Sequence, residues 1–369
     1  MRDLIAYLET KGREYAPFDP SRARSIFEGF RQDFWGDFHA KIIHIIGTNG
    51  KGSTGRFIAL SLAKDHKILH FTSPHLFDFR ERFYRNDGLV SWEDLQKAHE
   101  ILINQPYMHK ASYFEYATFL AFYLAKDVDM LILEAGLGGE FDSTNVVDDK
   151  ISVFTQIGLD HMEFLGNTLE EIATTKLNAM GKVAFLGIQK DSKINKLALR
   201  IAMDKGSKLY EVCQYEQDPH FPDFLNQNFA LASKVVKFLG ARMCQKQELN
   251  LPARMQRVRE NIWLDVGHNE DAARAVCREL AGQKVVLVFN AYVQKDLHSV
   301  LAVLKEIILR VEIVSISHER ITPRDVLEQT LRSEGLPFCE FEGFCEDQTY
   351  LVFGSFSVVG EILEHYLES

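Results

Sequence analysis

The chain has 369 residues, 46% hydrophobic and 25% charged, with a formal net charge of −10. That length predicts two domains or one large one, the composition is ordinary for a soluble globular protein, and the acidic balance argues against a dedicated nucleic-acid binder. Cysteines at 213, 244, 277, 339 and 345 are odd in number and form no C-x-x-C pair, so free thiols in a reducing compartment are expected rather than a disulfide scaffold.

The charged start MRDLIAYLETKG lacks a signal-peptide core, and no run approaches the roughly 18 apolar residues of a membrane span. A cytoplasmic protein with no membrane partner is expected. Helices are predicted over 2–9 and 21–33, around a turn at 16–20. Strand 41–46 ends in a glycine-rich loop, and a helix follows over 53–64. Strand 67–71 runs into Thr72-Ser73-Pro74, where proline ends the ladder. The segment 77–90, rich in Phe, Arg, Asp and Asn, reads as a long loop. Helices follow over 92–103, capped by Ser91, and over 113–125, opened by Ser112-Tyr113-Phe114-Glu115. Strands at 129–134 and 151–157 are followed by Gly136–Gly139 and by Asp160-His161. Leu165–Thr168 leads into a helix carrying Glu170, Glu171 and Lys176. A β-α-β unit over 182–212 and a helix over 225–239 complete the first half.

Near 244–256 the composition turns polar, which places a domain boundary at 250/251. Strands at 261–265, 284–289, 311–316 and 350–353 then alternate with helices at 270–281, 296–308 and 323–334, and a last helix begins at Ser355. Strands alternating with helices of this length mean parallel α/β layers. The expectation is an α/β protein: a P-loop-type parallel-sheet domain over 1–250 and a smaller Rossmann-like domain over 251–369.

The chemistry concentrates at strand ends. In Lys41–Thr54, KIIHIIGTNGKGST, an apolar strand meets glycines, one lysine and two hydroxyls. Backbone N–H groups at a helix N-terminus suit an anion, with Lys51 as a point charge. The spacing departs from G-x-x-x-x-G-K-[ST], because Gly52 follows Lys51 and the hydroxyls come at Ser53 and Thr54. Ligands in open parallel sheets lie beyond the carboxyl ends of the strands. If strands 41–46, 67–71, 129–134 and 151–157 are neighbours, then Lys51, Thr72-Ser73, Glu134 and Asp160-His161 face one crevice suited to nucleotide phosphates and a divalent cation. Glu134 stands where a magnesium-binding acid would follow an apolar strand. Read alone, Ser73 is a turn residue, His161 a hydrogen-bonded loop histidine or a ligand, Lys176 a solvated helix lysine beside Glu170 and Glu171, and Asn269 an N-cap.

Together GTNGKGST (47–54), TSPHL (72–76), YFEYAT (113–118), EAGLGGEFDSTN (134–145), DHMEFLGNT (160–168), LDVGHN (264–269) and FGSF (353–356) resemble the folylpolyglutamate synthase and dihydrofolate synthase family, a branch of the Mur ligases. The resemblance implies a ligase that phosphorylates a substrate carboxylate with ATP and joins the acyl phosphate to L-glutamate. The acceptor would be dihydropteroate or a reduced folate. By position it assigns Thr48, Asn49, Gly50, Lys51, Gly52, Ser53, Asn228, Arg254 and Asp265 to ATP, the last two from the second domain on closure. Ser73, Glu134 and His161 would hold magnesium. Lys176, as a carbamate, would hold a second Mg²⁺. Ser112, Tyr113, Phe114, Glu115, Phe141, Asp142 and Ser143 would line the pterin side, and Lys51, Lys176 and His268 would serve catalysis, His268 on the glutamate side.

Three departures stand out. Lys176 lies in Thr-Lys-Leu-Asn-Ala rather than Glu-Lys-Ala-Gly-Ile. Gly267 replaces an alanine in the Asp-x-Ala-His-Asn pattern. Ala253-Arg254-Met255 stands where Pro-Gly-Arg is usual. The family implies a monomer. The rival readings are a cell-wall Mur ligase, a P-loop NTPase switch and a non-catalytic nucleotide binder. A GTPase base-reading N-K-x-D is missing, since Asn195-Lys196 runs into Leu197-Ala198.

Overall fold

The computed structural model describes residues 3–12, 19–36, 38–86, 88–318 and 320–367. Arg2 and most of the turn expected at 16–20 lie outside the described residues. The chain divides into two compact units: Met1–Gly158 with Met162–Glu216 and Leu225–Leu249, and Leu159–His161 with Gln217–Phe224 and Asn250–Ser369.

In the first unit the order is α1 (Leu4–Glu9), α2 (Arg22–Phe34), β1 (Lys41–Ile46), α3 (Lys51–Leu62), β2 (Ile68–Phe71), β3 (Phe83–Arg85), β4 (Gly88–Leu89), α4 (Trp92–Leu102), α5 (Tyr113–Leu124), β5 (Met130–Glu134), β6 (Ile151–Phe154), α6 (Met162–Leu165), α7 (Leu169–Leu177), β7 (Val183–Leu186), α8 (Ser192–Lys205), β8 (Lys208–Glu211) and α9 (Asp223–Phe238). The first two residues of α9 cluster with the second unit. The sheet runs β4-β3-β2-β5-β1-β6-β7-β8, parallel from β2 to β8. β1 lies between β5 and β6, with Ile45 opposite Glu134 and Ile46 opposite Phe154. Strands such as KIIHII are near-continuous apolar runs because helices cover both faces. One core joins α1, α2 and α5, a second joins α3 and α9, and a third joins α7 and α8.

Expectations differ at several points in this unit: the strand expected over 151–157 ends at Phe154, and two further differences concern a loop and a helix start. The loop expected at 77–90 contains a 3₁₀ turn, Phe79–Arg82, and then β3 and β4, an antiparallel edge on β2. A three-residue strand among charged side chains is too short to show a period. α3 begins two residues earlier than predicted, at Lys51, because Gly50 is its N-cap in a left-handed conformation (φ 86°).

The second unit holds β9 (Gln256–Arg259), β10 (Ile262–Leu264), α10 (Glu270–Glu279), β11 (Val285–Phe289), α11 (Leu297–Leu304), β12 (Ile308–Ile313), α12 (Arg324–Ser333), β13 (Phe338–Glu340), β14 (Tyr350–Phe353) and α13 (Phe356–Ile362). Its sheet order is β13-β12-β11-β14-β10-β9, with β9 alone antiparallel. Val285, Leu287, Phe289, Leu301, Leu327, Leu351 and Phe353 anchor its core. β9 begins at Gln256, the last residue of the stretch read as a polar boundary, and neither β9 nor β13 is expected from the sequence. β12 starts at Ile308, where the sequence reading still had helix, because the helix ends at Leu304. Among the described residues no helix is long and apolar enough to cross a membrane.

Candidate active site

The four strands singled out in the sequence are neighbours, in the order β2-β5-β1-β6, so their carboxyl ends form one edge. After β1 the loop is pinned to the segment beyond β6: Thr48 N–H donates to the Gln156 carbonyl (2.9 Å), and its hydroxyl donates to the Gly158 carbonyl (3.0 Å). Gly50 approaches Asn228 so closely that a Cβ there would lie 2.3 Å from Asn228 Oδ1. The two nucleotide candidates Gly50 and Asn228 are therefore in one place. Lys51 opens α3, donates to the Thr48 carbonyl (3.3 Å) and stands 3.8 Å from Glu134 Oε1. Ser53 is buried in the first turn of the same helix.

Glu134 is buried at the end of β5. Its carboxylate accepts from the Thr72 hydroxyl and, at 3.4 Å, from the Ser73 N–H. Among the described residues no three His, Cys, Asp or Glu side chains converge as a ready-made metal cluster. Magnesium does not need one: it is held by one or two carboxylates, with waters and substrate phosphates completing the shell. One buried carboxylate beside two hydroxyl residues and a phosphate-type loop fits that requirement.

The solvated reading of Lys176 is overturned. Its side chain is buried, and Nζ donates to the Gly47 carbonyl (2.9 Å), so it touches the glycine-rich loop itself. α7 carries it there by a Thr168–Glu171 capping box.

The pterin candidates divide by role. Ser112 and Glu115 form the capping box of α5, and Glu115 Oε2 also accepts from Arg22 Nε (2.7 Å). Phe114 is buried against Phe71. Asp142 is buried and accepts from the N–H groups of Leu137 (2.8 Å) and Thr144 (2.9 Å); burial pushes its carboxyl up despite those bonds. The Ser143 hydroxyl pairs with Thr118 (2.8 Å). Tyr113 is half-buried, and Phe141 has its ring exposed. These two are the members of the set with side-chain surface to offer a ligand.

In the second unit Asp160 is a hub. Its carboxylate receives Lys295 Nζ (2.6 Å), Asn269 Nδ2 (3.3 Å) and the His161 N–H (2.9 Å), and His268 Nε2 lies 3.4 Å away. Burial alone would raise its pKa, but the His268 hydrogen bond and the charges of Lys295 and the histidines hold it well below the usual carboxylate range. His161 has a positive φ of 51° and stays with this unit. His268 Nδ1 faces the Val266 carbonyl (3.1 Å). Asp265 accepts from the N–H groups of Gly267 (2.7 Å) and Met255 (2.9 Å). Burial pushes its carboxyl up, against the opposing charge of Arg254. Arg254 donates to its own loop carbonyls, Pro252 and Ala253 (both 3.2 Å), and lies over the Phe356 ring.

The Mur ligase middle-domain model matches residues 45–231. The solved Helicobacter pylori folylpolyglutamate synthetase is 41% identical, with 99% of this chain and 98% of that one covered at a TM-score of 0.77. This chain belongs to the folylpolyglutamate synthase/dihydrofolate synthase family of Mur ligases. A Bacillus subtilis dihydrofolate synthase/folylpolyglutamate synthase is 44% identical over 146 residues, a match spanning 37% of this chain and only 34% of that relative. A Yersinia pestis bifunctional folylpolyglutamate synthase/dihydrofolate synthase, solved with AMPPNP and an Mn ion, is 25% identical over 98% of this chain and 96% of that one, at a TM-score of 0.81.

Two departures from the folylpolyglutamate synthase pattern acquire physical reasons. At Gly267 a Cβ would lie 2.5 Å from the Phe353 ring and 2.8 Å from both Ala272 Cβ and Asp265 Oδ1, so this packing requires glycine. Ala253 and Met255 both have positive φ (56° and 48°), so the segment that usually carries a glycine keeps a left-handed path without one. Sequence reasoning did not single out Thr72 as a partner of Glu134, nor Lys295 at all. Lys295 follows a strand end, as the other site residues do, and that was the available signal.

Proposed function

We propose that this chain ligates L-glutamate to 7,8-dihydropteroate, a reduced folate or both, consuming ATP and passing through an acyl phosphate. The observation that carries the reading is the convergence of Lys51, Glu134, Thr72-Ser73 and Lys176 on one loop at one sheet edge. Lys51 and the backbone N–H groups of 49–53 take the phosphates, with Asn228, Arg254 and Asp265 as further nucleotide contacts. Phosphoryl transfer of this kind depends on positioning and on neutralising charge. Ser73, Glu134 and His161 are the residues assigned to Mg²⁺, which when bound supplies charge neutralisation at the transferring phosphate.

Lys176 already lies against the loop. As a carbamate its head would become an anion there, able to hold a second Mg²⁺. Tyr113 and Phe141 offer the pterin aromatic surface, while Ser112, Phe114, Glu115, Asp142 and Ser143 shape that wall from behind. His268 serves the glutamate side. Residues 1–250 act as the P-loop-type domain and 251–369 as the Rossmann-like one, in a cytoplasmic monomer.

The test is phosphate release with ATP, magnesium and L-glutamate, run separately with 7,8-dihydropteroate and with tetrahydrofolate, and with product mass measured in each. A glutamate-dependent mass gain is expected, and it disappears in Lys51→Ala. Phosphate release indifferent to both pterins overturns the substrate assignment, and full ligation by Lys51→Ala overturns the role of the loop.

A further inference from the structure

The functional reading leaves one buried ion pair unused. Lys295 and Asp160 meet at 2.6 Å with side chains only 11% and 10% exposed. An isolated buried pair costs desolvation on both partners and is often no better for stability than an apolar pair. Its position is informative. Lys295 stands just beyond β11, and the loop that carries it is fixed at several points. Lys295 N–H donates to the Tyr292 carbonyl (2.9 Å), the Tyr292 hydroxyl pairs with Ser357 (2.6 Å), and Asp296 caps α11. The ammonium therefore approaches Asp160 from a rigid base.

Around the same carboxylate lie His268 and Asn269, which follow β10, and the backbone N–H of His161. Asn269 is itself fixed, because its Oδ1 caps α10 through the Ala272 N–H (3.0 Å). Asp160 is thus held between two strand ends of the second sheet. It faces His268 on one side and sets the backbone of His161 on the other.

We propose that Lys295 is a positioning residue for the ligation. It holds Asp160 so that His268 and the His161 loop keep one fixed arrangement. The inference rests on the functional reading for the word ligation, and on the geometry alone for the positioning. Removing the ammonium leaves Asp160 to be balanced by the histidines, and the His268 ring then follows the carboxylate instead of presenting a constant face. Arginine keeps a cation of similar reach and restores part of the arrangement.

The experiment compares the full-length wild type, Lys295→Met, Lys295→Arg, Asp160→Asn and the Lys295→Met/Asp160→Asn pair, each first checked for cooperative unfolding. One readout needs no turnover: the ring signals of His268 and His161 in ¹⁵N-histidine spectra of the free protein. Lys295→Met is expected to move them and Lys295→Arg to return them toward wild type. The second readout is steady-state ligation. A loss of about 10- to 100-fold is expected in kcat for Lys295→Met, partly rescued by arginine, with no further loss in the double variant over Asp160→Asn. His268 signals unchanged in both lysine variants, or losses that multiply in the double variant, overturn the proposal. Wild-type protein that ligates nothing overturns the functional reading instead, and the histidine spectra still decide the positioning.

Discussion

Gly50 shows how one residue serves both fold and site. It takes φ 86°, and its absent Cβ leaves room for the Asn228 amide. An L-residue in this conformation costs roughly 1–2 kcal/mol, and alanine adds a steric conflict with Asn228. Gly50→Ala is expected to lower the urea midpoint and to weaken binding of a non-hydrolysable ATP analogue. Adding Asn228→Ala should recover the steric part of the stability and leave the conformational part. Wild-type stability in the single variant would mean that the loop turns elsewhere. At this scale the sequence was legible where chemistry is local: a glycine-rich loop with one lysine announces itself. Read alone Lys176 looks solvated, and only the family resemblance placed it at the site, because its burial against Gly47 is a tertiary fact. Two acidic neighbours on the same helix look like solvation whichever way the side chain points.

Elements were legible where their ends carry caps. The Ser112–Glu115 box sets the start of α5, and the Thr168–Glu171 box that of α7. Asn269 caps α10, as its sequence position implied. Short elements without caps or period, such as β3, β4, β9 and β13, were lost among polar residues, since pairing to a neighbour and not local pattern makes them strands. The α5 cap also yields a discriminating prediction. Ser112→Ala should cost about 1 kcal/mol as a lost N-cap. Glu115→Ala should cost more, about 2–3 kcal/mol, because it abandons both the Ser112 N–H and the Arg22 guanidinium in a largely buried place. Urea unfolding measures both. If the two residues act solely on the pterin, stability stays at the wild-type value and the change falls on the pterin KM.

Across the molecule the two units hold separate cores, and within the second unit the buried carboxylates Asp160 and Asp265 divide in how they respond to acid. Asp160 is held below the usual carboxylate range in the folded state, so it stabilises the protein above its unfolded pKa, and that stabilisation is lost as pH falls through the folded value. Asp265 is raised by burial, so its ionised form is a penalty near neutrality, and the penalty is relieved as pH falls through the raised value. The corresponding asparagine variants should therefore show opposite slopes. Asp160→Asn strands the Lys295 ammonium and should cost about 3 kcal/mol at neutral pH, with the gap to wild type narrowing as pH falls below the carboxylate range. For Asp265→Asn the gap should shift toward wild type at higher pH, between the raised folded value and the ordinary carboxylate value, because only wild type gains a proton there that favours folding. Hydrogen exchange of the peptides covering Ile262–Phe353, corrected for intrinsic rate at each pH, reads both without requiring the whole chain to unfold in one step. Parallel pH profiles for the two variants would mean that the charges around Asp160 do not outweigh its burial, and the hub would then be a desolvated carboxylate like Asp265.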